Sequence, residues 1–358
     1  VHNPCSHGGS SWQGVTCSST PAECSSQVCQ VTKLALRSYN LSGTIPPDIG
    51  NLDNVISFSV YDNYLSGTIP SELGQLQALT FFSLVMNPLT GTIPSTVGNL
   101  SNLVKLYISE TQLTGSIPVE IGQLTSLQEI LLFNNRITGI IPVEIGLLTS
   151  LTNMYVFNNE LTGPIPDELG QLTALDRIYL NDNQLSGPIS SIIGKLTSLK
   201  SLDLGNNNFT GTIPAEVGLM TALDFLSFAN NQLTALIPTE IGLLNTLEQL
   251  FLNSNQLTGP IPANLLNNMT SLNYLYLYSN KLTGQIPAEV EQLTGLVYLV
   301  LHINQLTGSI PVEVGQLTAL QYLYLYDNHL TGSIPVEVGQ LTGLSYLSLY
   351  KNELSGSI

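Results

Sequence analysis

Aligning the chain on its asparagines exposes a period that fixes what it can fold into. Asn63, Asn87, Asn135, Asn159, Asn183, Asn207, Asn231 and Asn255 fall on a 24-residue step or its double, and Asn280, Asn304, Asn328 and Asn352 continue it after a single step of 25. Tyr39 and Thr111 fill the same slot in two further units, making about fourteen. The stretched unit contains Ala263-Asn264-Leu265-Leu266-Asn267-Asn268, with one residue added between Pro262 and Leu272. A period of this length marks a solenoid, in which each unit buries its apolar face only by stacking on its neighbours.

Each unit reads L-x-L-x-x-N-x-L-[ST]-G-x-I-P-x-E-[IVL]-G-x-L-T-x-L, almost without deviation from Leu323 to Leu344. The L-x-L run is a short strand with one face in the core. The Asn sits where the chain leaves the strand, and its amide can satisfy backbone groups of its own coil and the next, building a ladder. The Gly after Thr or Ser is present in all units but that of Ala235 and marks a second bend. Ile-Pro-x-Glu predicts a short helical turn with an acid near its positive end, and the following Gly is expected to end it.

Composition agrees. Apolar residues make up 43% and charged residues 9%, enough for a core and too little charge for a disordered chain. A net charge of −16 argues against nucleic acid and anionic lipid as partners. No apolar run approaches the roughly 20 residues of a membrane span, so no membrane segment is expected. No secretory leader is recognisable, so an exported protein would be seen here in its mature form.

Cys5, Cys17, Cys24 and Cys29 are the only cysteines and all lie in the first 30 residues. Of three possible pairings, Cys5 with Cys17 and Cys24 with Cys29 close the shortest loops and are expected. Zinc is the alternative, which irregular spacing and the lack of a His pair disfavour. Disulfides imply an oxidising compartment, and four glycosylation sequons, at Asn40, Asn99, Asn208 and Asn268, agree with an extracellular or cell-surface location.

With these residues in view, the chain resembles the plant-type leucine-rich repeats of receptor-kinase ectodomains and polygalacturonase inhibitors, a class also met in algae. The diagnostic L-[ST]-G-x-I-P recurs from about Val31 to Ile358, and Trp12-Gln13-Gly14-Val15-Thr16-Cys17 resembles the family's N-terminal cap. The resemblance implies an α/β solenoid: a right-handed superhelix with a concave parallel sheet, short helical turns on the convex side, a disulfide-stapled cap over residues 1–30 and the repeats over 31–358. The last repeat is incomplete, and the absence of a C-terminal Cys pair leads us to expect a fragment or trimmed form. Receptors that clamp a free peptide carboxylate would show paired Arg late in the concave columns; only Lys33 and Arg37 come near, at the opposite end.

In L-x-L the residues before, between and after the leucines point outward, and thirteen of the fifteen Tyr fall in these three columns. Earlier units scatter aromatics such as Tyr61, Phe81, Tyr107, Phe133, Tyr155, Phe157, Tyr179, Phe225 and Phe251. The last four units fill the columns with Tyr274, Tyr298, Tyr322 and Tyr346, then Tyr276 and Tyr324, then Tyr278, Tyr326 and Tyr350, with His302 in the third column. Such a grid suits a peptide or protein partner. A glycan stacked on the rings, as in an adhesive matrix protein, is the alternative, and a tyrosine ladder serving only as scaffold is another.

Other features point less far. The acidic column of Asp48, Glu72, Glu120, Glu144, Glu168, Glu216, Glu240, Glu289, Glu313 and Glu337 reads as first-turn dipole compensation before it reads as a cation stripe. The Thr column (Thr90, Thr114, Thr138, Thr162) admits an ice-binding or purely structural solenoid as a third reading. His302 and His329 lie near Asp327, but no nucleophile motif, metal triad or phosphate loop accompanies them. We therefore expect no enzyme, no cofactor and no metal.

Overall fold

The computed structural model describes residues 13–18 and 30–356. Of the expected cap only 13–18 and residue 30 fall within it, so the pairing of Cys5, Cys24 and Cys29 with one another or with Cys17 lies outside the described residues. Two compact units divide the chain, Val1–Leu175 and Asp176–Ile358.

Each repeat contributes a short strand to this sheet, five residues long in the first (Val31–Ala35) and three in the others, and the period places each beside its equivalent in the next coil. In the first unit Val31–Ala35, Ser57–Ser59, Phe81–Ser83, Lys105–Tyr107, Glu129–Leu131 and Asn153–Tyr155 pair in parallel, and Val15–Cys17 adds antiparallel to Val31–Ala35. The second unit repeats the arrangement with Arg177–Tyr179, Ser201–Asp203, Phe225–Ser227, Gln249–Phe251, Tyr274–Tyr276, Tyr298–Val300, Tyr322–Tyr324 and Tyr346–Ser348. Register is kept by the central apolar residue: Leu202, Leu226, Leu250, Leu275, Leu299 and Leu323 are all buried, and a slip by one residue would turn each of them out of the core.

The ladder forms as the motif implies. Asn304 is typical: its Oδ1 accepts from the Leu282 N–H one coil back at 3.0 Å, and its Nδ2 donates to Leu277 O of that coil and to Leu301 O of its own, both at 3.0 Å. Where Thr111 replaces Asn, the Leu89 N–H bonds Asn87 O of its own coil instead, at 2.8 Å.

Three local features differ from the sequence reading. First, the segment read as a bend at Thr-Gly is a second parallel strand in the second unit, from Gln184–Pro188 through Asn208–Gly211, Gln232–Ala235 and Gln256–Pro260 to Lys281–Gly284, Gln305–Gly308, His329–Gly332 and Glu353–Leu354. Its glycine does take a positive φ, for example +75° at Gly308 and Gly332. Ala235 is held in the same region at φ 65°, where a Cβ costs roughly 1–2 kcal/mol. Second, the helical turns are 3-10, of five residues each, as in Val312–Gln316; among the described residues only the stretched unit makes an α-helix, Ala263–Asn268, because its added residue completes an α turn.

Third, the Gly of these turns does not end them. Leu or Met occupies the cap, and the Gly lies inside the turn, where the next coil presses on it. A Cβ on Gly315 would sit 2.7 Å from Glu337 O and 2.6 Å from Glu337 Cβ. The acidic column therefore marks the residue whose backbone closes over the preceding glycine, and with only five residues per turn the dipole it faces is small. At Gly339 the same construction meets nothing within 4 Å. Gly315→Ala should therefore lower the urea midpoint by an amount equivalent to about 1–3 kcal/mol, while Gly339→Ala leaves it unchanged or slightly raised; equal effects would refute coil closure as the reason for the glycine.

Candidate functional site

The outward columns are set by strand register, so identical slots in successive coils become neighbours at about 4.8 Å. In the second unit this joins all ten residues expected in the grid. Tyr274, Tyr298, Tyr322 and Tyr346 are register partners and their rings stack in series, at centroid separations of 5.0, 4.2 and 5.0 Å and interplanar angles of 20°, 6° and 10°. The third column stacks the same way, Tyr278 on His302 at 4.5 Å, His302 on Tyr326 at 4.2 Å and Tyr326 on Tyr350 at 4.5 Å.

Between these two stacks the middle column is looser. Tyr276 stands edge-on to Phe251 at 4.9 Å, and Tyr324 stands edge-on to His302 at 6.2 Å, with the buried Val300 between the two tyrosines in register. Phe225 leads into the surface through Phe251, 5.6 Å away.

The stacking leaves chemical marks. Tyr298 is hydrogen-bonded to Tyr322, which together with burial pushes its phenol up to about 12. Burial, then the neighbouring phenols, raises Tyr276, and burial followed by Tyr350 raises Tyr326. His302 is pushed below its ordinary value by burial, against the opposing pull of Asp327, and its Nδ1 is buried with no hydrogen-bond partner. The surface at neutral pH is thus an uncharged array of hydroxyl-tipped rings. His302 and His329 do not act together: His302 is sandwiched by tyrosines, and His329 faces Glu353, Nδ1 to Oε1 at 3.5 Å, with both side chains exposed.

The first unit carries a smaller polar counterpart. Glu129 takes Lys105 Nζ at 2.8 Å and the Tyr107 hydroxyl. Burial opposes its charge, yet these two partners hold Glu129 below its ordinary value, while burial and Glu129 push Tyr107 up. Phe133 and Phe157 stack at 4.6 Å. The Thr column is engaged internally, since Thr114, Thr162 and Thr234 donate to Gly91, Gly139 and Gly211 carbonyls one coil back, at 3.1–3.2 Å. Asn40, Asn99, Asn208 and Asn268 are all exposed.

Sequence reasoning passed over Asp203. It occupies the middle column between Tyr179 and Ser227 in register, largely buried, and accepts from the Gly205 N–H at 2.9 Å. Burial, more than the nearby Asp182, raises its carboxyl above the ordinary value. An acid inside an L-x-L run was the available signal. Among the described residues no group of three or more His, Cys, Asp or Glu is placed to hold a metal ion, and no helix is long and apolar enough to cross a membrane.

The Leucine Rich Repeat family model matches residues 102–124, 126–148, 150–172, 198–220, 246–268, 271–293 and 319–341. Among solved structures, the chain is similar to the plant peptide hormone receptor RGFR1 in complex with RGF2, with 35% identity and a TM-score of 0.78 over 88% of this chain and 54% of that one. It is also similar to the Arabidopsis receptor kinase HAESA in complex with the peptide hormone IDA and the co-receptor SERK1, with 33% identity and a TM-score of 0.64 over 91% and 62%. A Leptospira interrogans leucine-rich-repeat protein matches with 35% identity and a TM-score of 0.71 over 90% of this chain and 85% of its own. The chain spans about half the length of the first plant receptors it matches, 54% and 45% for two of them. No curated protein matches it.

The tyrosine array should show itself in alkaline titration. The fold favours the neutral form of Tyr298, whose ordinary value is 10.0, so its contribution is complete below pH 10 and is lost as pH climbs through about 12. Ultraviolet titration is expected to show late-ionising tyrosines and unfolding within that window. Tyr322→Phe, which deletes the hydrogen bond, should move the Tyr298 step toward its ordinary value; an unmoved step would count against the pairing.

Proposed function

The chain belongs to the leucine-rich-repeat family, in its plant type, and from that premise we propose that it is an extracellular recognition module that binds a peptide or protein along the outward face of its strands. The binding surface is the array formed by Tyr274, Tyr276, Tyr278, Tyr298, His302, Tyr322, Tyr324, Tyr326, Tyr346 and Tyr350. The observation that carries this reading is the pair of continuous ring stacks. They give a wide, rigid surface with few rotamers left to freeze, which is what a recognition surface requires. The peptide-bound receptors among its structural neighbours support the same reading, and the exposed sequons fit an extracellular chain.

Ring orientation favours peptide over glycan. Sugars bind aromatic residues through an open ring face, and in the first and third columns the faces are turned to one another at 4.2–5.0 Å. What remains outward is ring edge and hydroxyl, suited to backbone carbonyls and apolar side chains of an extended chain. Nothing in the surface is arranged for catalysis: His302 is neutral and enclosed, and it has no nucleophile beside it.

An array carrying both extracellular peptides and oligosaccharides tests the proposal. The wild-type chain is expected to retain peptides, and Tyr276→Ala/Tyr298→Ala/Tyr324→Ala, folded by circular dichroism, should lose them by at least about 30-fold, the effect of one hot-spot residue at ~2 kcal/mol. Glycan capture instead would favour the adhesive reading, and peptide binding indifferent to the substitutions would return the tyrosines to a scaffold role.

A further inference from the structure

Ahead of the tyrosine array the middle column gives up its aromatic residues over two successive coils. In the middle column the sequence of register partners runs Tyr179, Asp203, Ser227, Phe251, so two aromatic residues stand three strand steps apart, about 14 Å, with only an aspartate and a serine between them. In the Asp203 coil both flanking columns are small as well, with Ser201 on one side and Gly205 on the other, while the Ser227 coil carries Phe225 and Ala229 in the same slots. Tyr179 leans to Ser201, hydroxyl to Oγ at 3.1 Å, and Phe225 packs on Phe251. The result is a notch at one end of the tyrosine array, walled by aromatic residues and floored by a carboxylate.

Gly205 keeps this floor open. A Cβ at that position would lie 3.1 Å from both Asp203 Oδ1 and Ser227 Oγ, so any larger residue would cover the two oxygens. The carboxylate is held by the Gly205 N–H and the Ser227 hydroxyl, both neutral donors, and among the described residues it has no ion-pair partner. Lys200 and Arg177, in the same two repeats, are turned to Asp176, at 2.6 and 3.8 Å. Asp182, the acid beside Asp203, takes only amides, from Asn206 at 2.9 Å and Asn181 at 2.7 Å. A largely buried carboxylate with a second acid beside it and no cation is incomplete in charge. One carboxylate with fixed donors is too poor an oxygen set for a divalent ion, whereas an ammonium or guanidinium completes it with a single charge-assisted hydrogen bond and packs its stem on the aromatic walls.

We propose that this notch is a specificity subsite that seats one Lys or Arg side chain of the peptide lying along the tyrosine array, an inference that rests on the peptide-binding reading above. From the strand of Asp203 to that of Tyr346 there are six steps, about 29 Å, the reach of an extended segment of roughly nine residues. The ligand is therefore bipartite. A basic residue anchors one end at Asp203, and an apolar or aromatic stretch covers the rings from Phe251 onward. The site has the sign opposite to a carboxylate clamp, in keeping with the net charge of −16.

Selection of random displayed nonapeptides on three folded baits provides the test: the wild-type chain, Asp203→Asn, and Tyr276→Ala/Tyr298→Ala/Tyr324→Ala. The Asn amide oxygen can still accept from Gly205, so the first variant preserves the floor while removing its charge. Wild type is expected to enrich peptides with one Lys or Arg near a terminus followed by apolar residues. Asp203→Asn should keep the apolar preference, lose the basic one, and weaken the winning peptides by about 10-fold to 100-fold, with their Lys→Gln forms binding both proteins alike. Enrichment that depends on the tyrosines but shows no basic residue, or a basic preference untouched by Asp203→Asn, overturns the subsite while leaving the peptide-binding reading in place. No enrichment on wild type, or enrichment indifferent to the tyrosines, overturns both.

Discussion

Everything in this molecule hangs on the buried asparagine amide. A coil of this kind turns away from its strand with backbone groups facing the interior, where an unpaired one costs roughly 1–3 kcal/mol. Asn304 answers four of them at once, in two coils, and its equivalents do so in succession, Asn231 through Phe209, Leu204, Phe228 and Ala229 for example. Because each amide reaches back one coil, the ladder sets the spacing of the stack as well as its internal satisfaction. The strands, the second strands and the glycine-backed turns then inherit one repeat distance. Thr111 shows the limit of tolerance: a hydroxyl reaches Asn135, and the preceding coil makes up the lost bond within itself.

The row beside the ladder explains a composition that has no other evident reason. The residue before each Asn takes the left-handed conformation, with φ between 52° and 57° from Asp62 to Lys351. Asn and Asp are the non-glycine residues that adopt it most readily, and Asn134, Asn158, Asn206, Asn230, Asp62, Asp182 and Asp327 occupy it. Ile303, β-branched, stands there against that preference at φ 55° and remains exposed. It follows His302 directly, so the one coil that sets an imidazole into the tyrosine stack also carries the least favourable residue in this row.

How much could be read from the sequence follows from how local each feature is. The L-x-L strand, the Asn ladder and the three outward columns are periodic, so the ten-residue array could be written down before any coordinate. The second strand was missed because Thr-Gly carries a bend signal, and only pairing with the neighbouring coil makes Gln305–Gly308 a strand. The glycine of the turn was misread for the same reason, since Glu337 presses on Gly315 from the next repeat. Asp203 is the extreme case. Its setting is made by what Ser201, Gly205, Ser227 and Ala229 lack, and a surface shaped by small residues in separate coils leaves no motif.

The contest between scaffold and binding surface loses its force once the geometry is considered. A 24-residue period brings a copied tyrosine into register with its template at the strand spacing, so duplication itself produces ring stacks that tie neighbouring coils together. The same stacking freezes the rings, hides their faces and turns edges and hydroxyls outward, and the phenols it raises stay protonated as donors. Structural support and pre-organisation are therefore one effect here. What repetition cannot produce is a departure from itself: the Asp203 coil sets Ser201, Asp203 and Gly205 in the three columns, and a stack maintained only for stability has no reason to place a largely buried carboxylate without a cation where an aromatic ring or a serine would pack at lower cost.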